Sequence, residues 1–246
     1  MEYREYISKV KFSLIKPEYD VVYVNAIKRI VHILSRFDFK YSSNIDILIT
    51  QLPEEEYFIK NILSEIADVP KMSTFAMGAL INRGVSQIKP NSTFVNVGVW
   101  HGYTFLSGIL NNFNVKCIGI DNFSEFNGSK ESFLNNFNKY KSPNHSFYEM
   151  DYLEYFLKIH NEPIGFYIYD GEHSYENQLK GLEVAEPFFD DQCIILIDDT
   201  NWEDPYKSVM DFLKKRPNQY NILLDKRTKF AQHPTWWNGV IVLQKK

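Results

Sequence analysis

Three aspartates and a histidine in the second half of the chain have types and spacing suited to cation and proton chemistry. Asp170 follows the apolar run Gly165 to Tyr169, and Asp198 with Asp199 follows the run Cys193 to Ile197. If those runs are neighbouring strands, three carboxylates converge at one sheet edge. They repel one another unless something positive lies between them. A hard divalent cation such as Mg2+ does this through oxygen ligands, keeping waters or substrate oxygens on its remaining positions. Such a cation lowers the pKa of a substrate hydroxyl and fixes its geometry. The plainer reading has Asp199 solvated and Asp170 capping a turn with Gly171. His173, three residues after Asp170, can act as a general base near neutral pH, orient a carboxylate or cap a helix.

A second group lies upstream, in the stretch Asn96 to Thr104. Gly98 and Gly102 sit four apart between an apolar run and a helical pattern. Glycine lets the backbone turn sharply and lets a ligand approach the main chain. The spacing is not the GxGxxG of nicotinamide sites, and the GK[ST] of a phosphate loop is lacking. Asp121 ends the next apolar run, 23 residues after Gly98, where a carboxylate can accept both hydroxyls of a ribose; a solvated strand-end aspartate is the alternative. Asp151 follows a third short run, and either reaches an adenine amino group or caps the helix that starts at Tyr152. His101, beside the glycines, suits a packing or hydrogen-bonding role. Trp236 and Trp237 are adjacent, so they cannot share a face of an extended chain; one is expected in the core and the other exposed, as a candidate substrate wall.

The elements that must position these groups read as follows. Residues 1 to about 90 are helical in pattern. Val21, Val24, Ile27, Ile30, Val31 and Leu34 recur at helical spacing. A second helix follows Pro53, with Glu54 to Glu56 in its first turn and Phe58, Ile62, Leu63 and Ile66 on one face. A third starts from Ser73 as N-cap and ends near Gly84 or Ile88. From residue 92, strands and helices alternate: strands at 93–97, 115–120, 146–150, 165–169 and 193–197, helices between them and after the fifth, then two last strands at 220–224 and 240–243 with no helix between. This alternation predicts an α/β, doubly wound, mostly parallel seven-stranded sheet with right-handed crossovers. Its expected order is 3-2-1-4-5-7-6, with the last strand antiparallel. Gly98, Asp121, Asp170 and Asp198 then all fall at carboxyl ends of strands, where such folds bind ligands. The division is a helical extension over 1–90, serving as a lid or for oligomerisation, and a Rossmann-like domain over 91–246.

In that order two strands separate Cys117 from Cys193, about 14 Å at about 4.8 Å per strand. A disulfide needs Cα atoms within about 7 Å, so both thiols are expected to be free and buried. Composition narrows the classes further. With 246 residues and 44% hydrophobic content, the chain can bury a core without disulfide or metal staples. Lys+Arg 27 against Asp+Glu 31 leaves a net charge of -4, which argues against a nucleic-acid partner; nor does a [DN]PP[YF] motif follow the fourth strand. No signal peptide and no membrane-spanning run is read, so a cytoplasmic location is expected.

The stretches NVGVWHGYT (96–104), GIDNF (119–123), YDGEHSYE (169–176) and IILIDDT (194–200) together resemble a class I S-adenosylmethionine-dependent methyltransferase, and more narrowly the macrocin-type sugar O-methyltransferases. The resemblance covers about 92–245. It implies methyl transfer from S-adenosylmethionine to a hydroxyl of a sugar or other small acceptor, with Mg2+ assistance. It places Asn96, Gly98, Trp100, Gly102, Tyr103, Thr104, Asp121, Asn122 and Asp151 around the cofactor. It places Asp170, Asp198 and Asp199 on the metal, and offers Asp170 or His173 as the base. Asn96 departs from the pattern, because many such enzymes carry an acid there that holds the methionine portion of the cofactor. A homodimer or higher homo-oligomer is the partner expected. A non-catalytic S-adenosylmethionine-binding module and, on weaker grounds, a nicotinamide-dependent oxidoreductase are the alternatives.

Overall fold

A computed structural model describes residues 1–35, 44–125 and 129–246. The sheet is built from apolar, β-branched and aromatic runs. In chain order its strands are β3 (Thr93–Val97), β4 (Lys116–Asp121), β5 (His145–Glu149), β6 (Ile164–Tyr169), β7 (Phe189–Asp198), β8 (Tyr220–Lys226) and β9 (Val240–Lys245), and a separate two-stranded ribbon pairs β1 (Lys11–Phe12) with β2 (Thr50–Gln51). The sheet order is β5-β4-β3-β6-β7-β9-β8. Leaving the ribbon aside, that is the order 3-2-1-4-5-7-6 expected from the sequence. The central pairs are parallel, and β9 runs antiparallel to both β7 and β8.

Alternation along each strand divides the core into two layers, as a pleated strand must when both faces are covered. Phe94, Phe166, Ile168, Leu196 and Val242 face one way. They meet α1 (Tyr3–Lys9), α4 (Phe58–Ser64), α5 (Phe75–Val85), α6 (Tyr103–Ile109) and α7 (Lys130–Tyr140). Val95, Tyr167, Tyr169, Ile195 and Ile197 face the other way, against α8 (Tyr152–Lys158), α9 (Tyr175–Ala185) and α10 (Glu203–Lys214). Phe166, Tyr167 and Tyr169 are thus core, as read. Helix α5 lies so close to β6 that a Cβ on Gly84 would come within 2.1 Å of the Phe166 ring.

The N-terminal half departs in detail from the helical reading. Thr74, not Ser73, caps α5: its hydroxyl accepts from Met77 N at 3.4 Å and donates to Thr235 O at 2.8 Å. Glu54–Glu56 form a 3-10 turn ahead of α4, and Phe58 is exposed while Ile59, Leu63 and Ile66 are buried. Ile62 packs partly buried beside them, so only Phe58 leaves the expected face, with Ile59 in its place. Helix α2 (Val21–Ser35) forms, and among its described side chains one narrow stripe packs on the protein. Val24 is buried against Ile15 and Ile49, while Val21 and Ile30 are exposed; for Leu34 only the backbone is described. Helical spacing reported the helix correctly and overestimated the width of its buried face. Helices α1 and α3 (Ile45–Ile49) and the ribbon were not read at all.

Cys117 on β4 and Cys193 on β7 are free and buried, and burial raises both thiols above their ordinary range. We expect a thiol reagent to label neither in the native protein and both after denaturation. An intact crosslink between them in a non-reducing mass spectrum is incompatible with this strand order.

Candidate active site

The carboxyl ends of β3, β4, β6 and β7 open into one cavity of about 680 Å3, a size suited to a small-molecule ligand. One end is the loop after β3. Gly98 has φ +77 and Gly102 φ +107. The protein's own packing requires both glycines. A Cβ on Gly98 would fall 1.9 Å from the Asp170 carbonyl oxygen, and one on Gly102 would crowd Phe133 and Leu106. Gly98 therefore lets β3 and β6 close together at the site, while Gly102 lies behind the cavity wall. Trp100, Tyr103 and Thr104 line the cavity.

Asp121 braces this loop. Its Oδ2 accepts from Val99 N at 2.8 Å and Trp100 N at 3.0 Å, and its Oδ1 accepts from Phe123 N at 2.7 Å. A carboxylate has about four acceptor positions, so about one remains for a ligand hydroxyl. Asn122 and Asp151 also line the cavity. Asp151 caps α8 through Oδ1, accepting from Leu153 N and Glu154 N. Asn96 does not reach the cavity. It is fully buried, and its Nδ2 donates to Val97 O and Gly98 O, holding the loop from beneath. His101 bonds Ser132 Oγ at 2.7 Å and packs edge-on to Trp100.

The other end is acidic. Asp170 follows β6, Asp198 closes β7, and His173 stands on the turn before Ser174, which caps α9. Donor atoms of Asp170, His173 and Asp198 all lie within 4.8 Å of one another. Asp199 stands beside them, with Oδ1 accepting from Asn238 Nδ2 at 2.8 Å and Oδ2 3.5 Å from His173 Nε2. Its left-handed backbone (φ +52) breaks the strand alternation that would otherwise send it to the opposite face from Asp198. Trp100, Phe123, Gln232 and Trp237 share that conformation and also line the cavity. At about 1–2 kcal/mol each, such strain is concentrated where a ligand site is built.

The electrostatics follow from burial. Burial and the neighbouring Asp170 push the Asp198 carboxyl well above the ordinary range. Burial also raises Asp170, partly offset by His173. Burial and Asp198 push Asp199 up to about 7. Burial works against an imidazolium at His173, but the three carboxylates outweigh it and raise the ring to about 10. His173 thus supplies one positive charge against three carboxylates, which leaves the cluster short of positive charge when all three ionise. Asp198 Oδ1 is buried with no hydrogen-bond partner, which fits a cation as the missing neighbour.

The structure adds cavity residues that the sequence did not mark. Trp202, about half exposed, lies edge-on to His173; Gln232 and Asn238 come from the β8–β9 connection; Lys71 to Ser73 come from the N-terminal half. None sits in a motif, so no local signal marked them. Trp236 is core and packs on Phe12, while Trp237 is half-buried and faces the cavity.

Residues 95–200 match the family model described as a methyltransferase domain. Among curated proteins, none matches the sequence. Solved structures share the fold at low identity. A Corynebacterium glutamicum protein is 12% identical, with 90% of this chain and 97% of that chain covered and a TM-score of 0.56. A Staphylococcus aureus protein, provisionally named a caffeoyl-CoA O-methyltransferase, is also 12% identical, covering 90% and 100% with a TM-score of 0.54. A Streptococcus mutans protein, provisionally named a methyltransferase and solved in complex with SAH, is 11% identical, covering 68% and 96% with a TM-score of 0.51. The chain shares its fold with these structures, two of which carry provisional methyltransferase names.

Proposed function

We propose that this chain, with its methyltransferase domain, transfers a methyl group from S-adenosylmethionine to a hydroxyl of a small, sugar-like acceptor, assisted by a divalent cation at the acidic cluster. The observation that carries this reading is one cavity joining a braced glycine loop and Asp121 at one end to Asp170, His173, Asp198 and Asp199 at the other. Neighbouring structures named as O-methyltransferases support a hydroxyl acceptor. No described helix is long and apolar enough to cross a membrane.

The bound cofactor supplies an electrophilic sulfonium methyl, and a cation such as Mg2+ favours the ionised acceptor hydroxyl. The rest is positioning by this chain's residues. The remaining acceptor position of Asp121 takes a ribose hydroxyl, and the same carboxylate holds the loop at Val99 and Trp100. Trp100 and Tyr103 wall the cofactor end, and Trp202 and Trp237 wall the acceptor end, excluding water. Asp170, Asp198 and Asp199 would hold the cation. The acceptor's proton would pass to Asp170 or, once binding of the cation has displaced its own proton, to His173.

Calorimetry tests the reading. We expect S-adenosylhomocysteine to bind with micromolar affinity and NAD to show no heat, and methyl-labelled S-adenosylmethionine to label a hydroxyl in a panel of sugars. Binding of NAD in place of S-adenosylhomocysteine refutes the proposal. Cofactor binding with no methylation across a broad acceptor panel would favour a non-catalytic binding module.

A further inference from the structure

The acidic cluster has a feature that an all-oxygen Mg2+ site does not need. His173 Nε2 lies 3.5 Å from Asp199 Oδ2 and 3.7 Å from Asp170 Oδ1. An N–H···O hydrogen bond spans about 2.7–3.2 Å, so the ring hydrogen-bonds to neither. Two donors that share a metal at about 2.1–2.2 Å, at angles near 90–110°, lie about 3.0–3.6 Å apart. The 3.5 Å to Asp199 falls in that range and the 3.7 Å to Asp170 lies just above it, and donor atoms of Asp170, His173 and Asp198 gather within 4.8 Å of one another. Asp198, only 4% exposed, adds the unpartnered Oδ1 within the same group.

The far side of the ring is held as well. Gln178 on α9 is fully buried, and its Oε1 lies 3.2 Å from His173 Nδ1. An amide oxygen only accepts, so Nδ1 carries the hydrogen and donates it. Without a cation the carboxylates keep a proton on Nε2 as well; a cation bound among them would displace that proton and take the Nε2 lone pair, while Nδ1–H stays on Gln178. A metal-bound imidazole is held in this way, with its remote N–H on an oxygen acceptor.

We propose that His173 binds the cation directly through Nε2 together with Asp170 and Asp198, and that Gln178 is the positioning residue that fixes its tautomer. This mixed nitrogen–oxygen set takes a first-row transition metal such as Mn2+ or Co2+ in preference to Mg2+. The inference rests on reading this cluster as a cation site. Imidazole suits transition metals, whereas Mg2+ favours carboxylate, carbonyl and water oxygens. With its Nε2 pair on the cation, His173 has none for the acceptor's proton, which then goes to a carboxylate of the cluster.

The test uses the whole chain, stripped of metal and titrated calorimetrically with Co2+, Mn2+ and Mg2+, with proton NMR of the Co2+ form. We expect Co2+ and Mn2+ to bind at least about tenfold tighter than Mg2+. The Co2+ form should also show a paramagnetically shifted, slowly exchanging ring N–H signal. H173A removes that signal and collapses the ratio of Co2+ to Mg2+ affinity. Q178L weakens Co2+ binding about 10–100-fold, and Q178E, which keeps an acceptor oxygen, restores it. The wild-type spectrum alone decides the matter even if a variant fails to fold. A Co2+-loaded protein without a shifted ring N–H signal overturns the nitrogen ligand. Wild-type protein that takes up none of the three cations overturns the cation site itself, a separate failure.

Discussion

Asp198→Asn lowers kcat/KM for methyl transfer by about a thousandfold, about 4 kcal/mol of transition-state stabilisation, and at the same time makes the metal-free protein more stable. The two effects share one cause. Asp198 is buried beside Asp170 and its carboxyl lies well above its ordinary value of 3.8. A carboxyl raised by folding is protonated in both states below the unfolded value. It imposes no penalty there. As pH rises past about 4, the unfolded chain ionises freely while the folded one resists, so stability is lost progressively up to the raised value. Asparagine keeps the shape, removes the ionisation and offers an N–H to the remaining carboxylates. In chelator, the variant should match the wild type near pH 4 and exceed it by about 1–2 kcal/mol at pH 7, about 2–8 °C in Tm for a chain of this size. Adding a divalent cation should reverse the ranking, because binding draws the carboxylates into their ionised form. Undiminished turnover by the variant removes the metal role while leaving methyl transfer standing. A variant less stable than the wild type in chelator at pH 7 shows that Asp198 is stabilised where it sits.

The strand order and the cysteine separation were legible because each central strand is an apolar run of five or six residues, buried on both faces and ended by Gly98, Asp121, Asp170 or Asp198. Such runs leave little freedom of register or type. The site's acidic end was legible for the same reason, since strand ends in this topology share an edge. The roles of individual side chains were less so. Asn96 stands at a position that suggests a ligand contact, yet it is fully buried and its Nδ2 is spent on the carbonyls of Val97 and Gly98. Asp121 serves the loop's own N–H groups before any ribose. Both uses depend on how two backbone segments approach in three dimensions, which spacing does not encode. Gln178 was illegible for a further reason. A glutamine in a helix has a solvated prior, and only packing of α9 under His173 turns it into a buried acceptor. The N-terminal half was read with the right helical texture, with too broad a buried face on α2, and without α1 and α3, because helices of five to seven residues offer too few periodic positions to fix a stripe.

Removal of residues 1–70 should abolish the cooperative fold, even though the resemblance and the family match both lie downstream. The expected protein lacks near-ultraviolet circular dichroism, melts without a transition and does not bind S-adenosylhomocysteine. The physical ground is that one core crosses the boundary near residue 90. Tyr3, Tyr6, Ile7, Ile47, Leu52, Ile59, Leu63 and Ile66 belong to the same buried cluster as Phe94, Phe166, Ile168 and Leu196. At about 1.5–3 kcal/mol for each large apolar side chain, their loss removes about 12–24 kcal/mol, an upper estimate that still matches or exceeds the whole stability of a typical domain, about 5–15 kcal/mol. Polar ties go with them. Tyr3 donates to Leu80 O at 3.1 Å, Glu56 pairs with Arg83 at 3.0 Å, and Asp46 accepts from Phe75 N at 2.8 Å. Without Glu56, Arg83 in the last turn of α5 loses its ion-pair partner, and α5 is the helix that closes one face of β6. Loss of oligomeric mass alone, with cofactor binding and a sharp melt retained, would instead show that residues 91–246 fold by themselves and that the N-terminal helices serve assembly. Loss of binding with a sharp melt retained would assign them to the cavity wall, where Lys71 to Ser73 already stand.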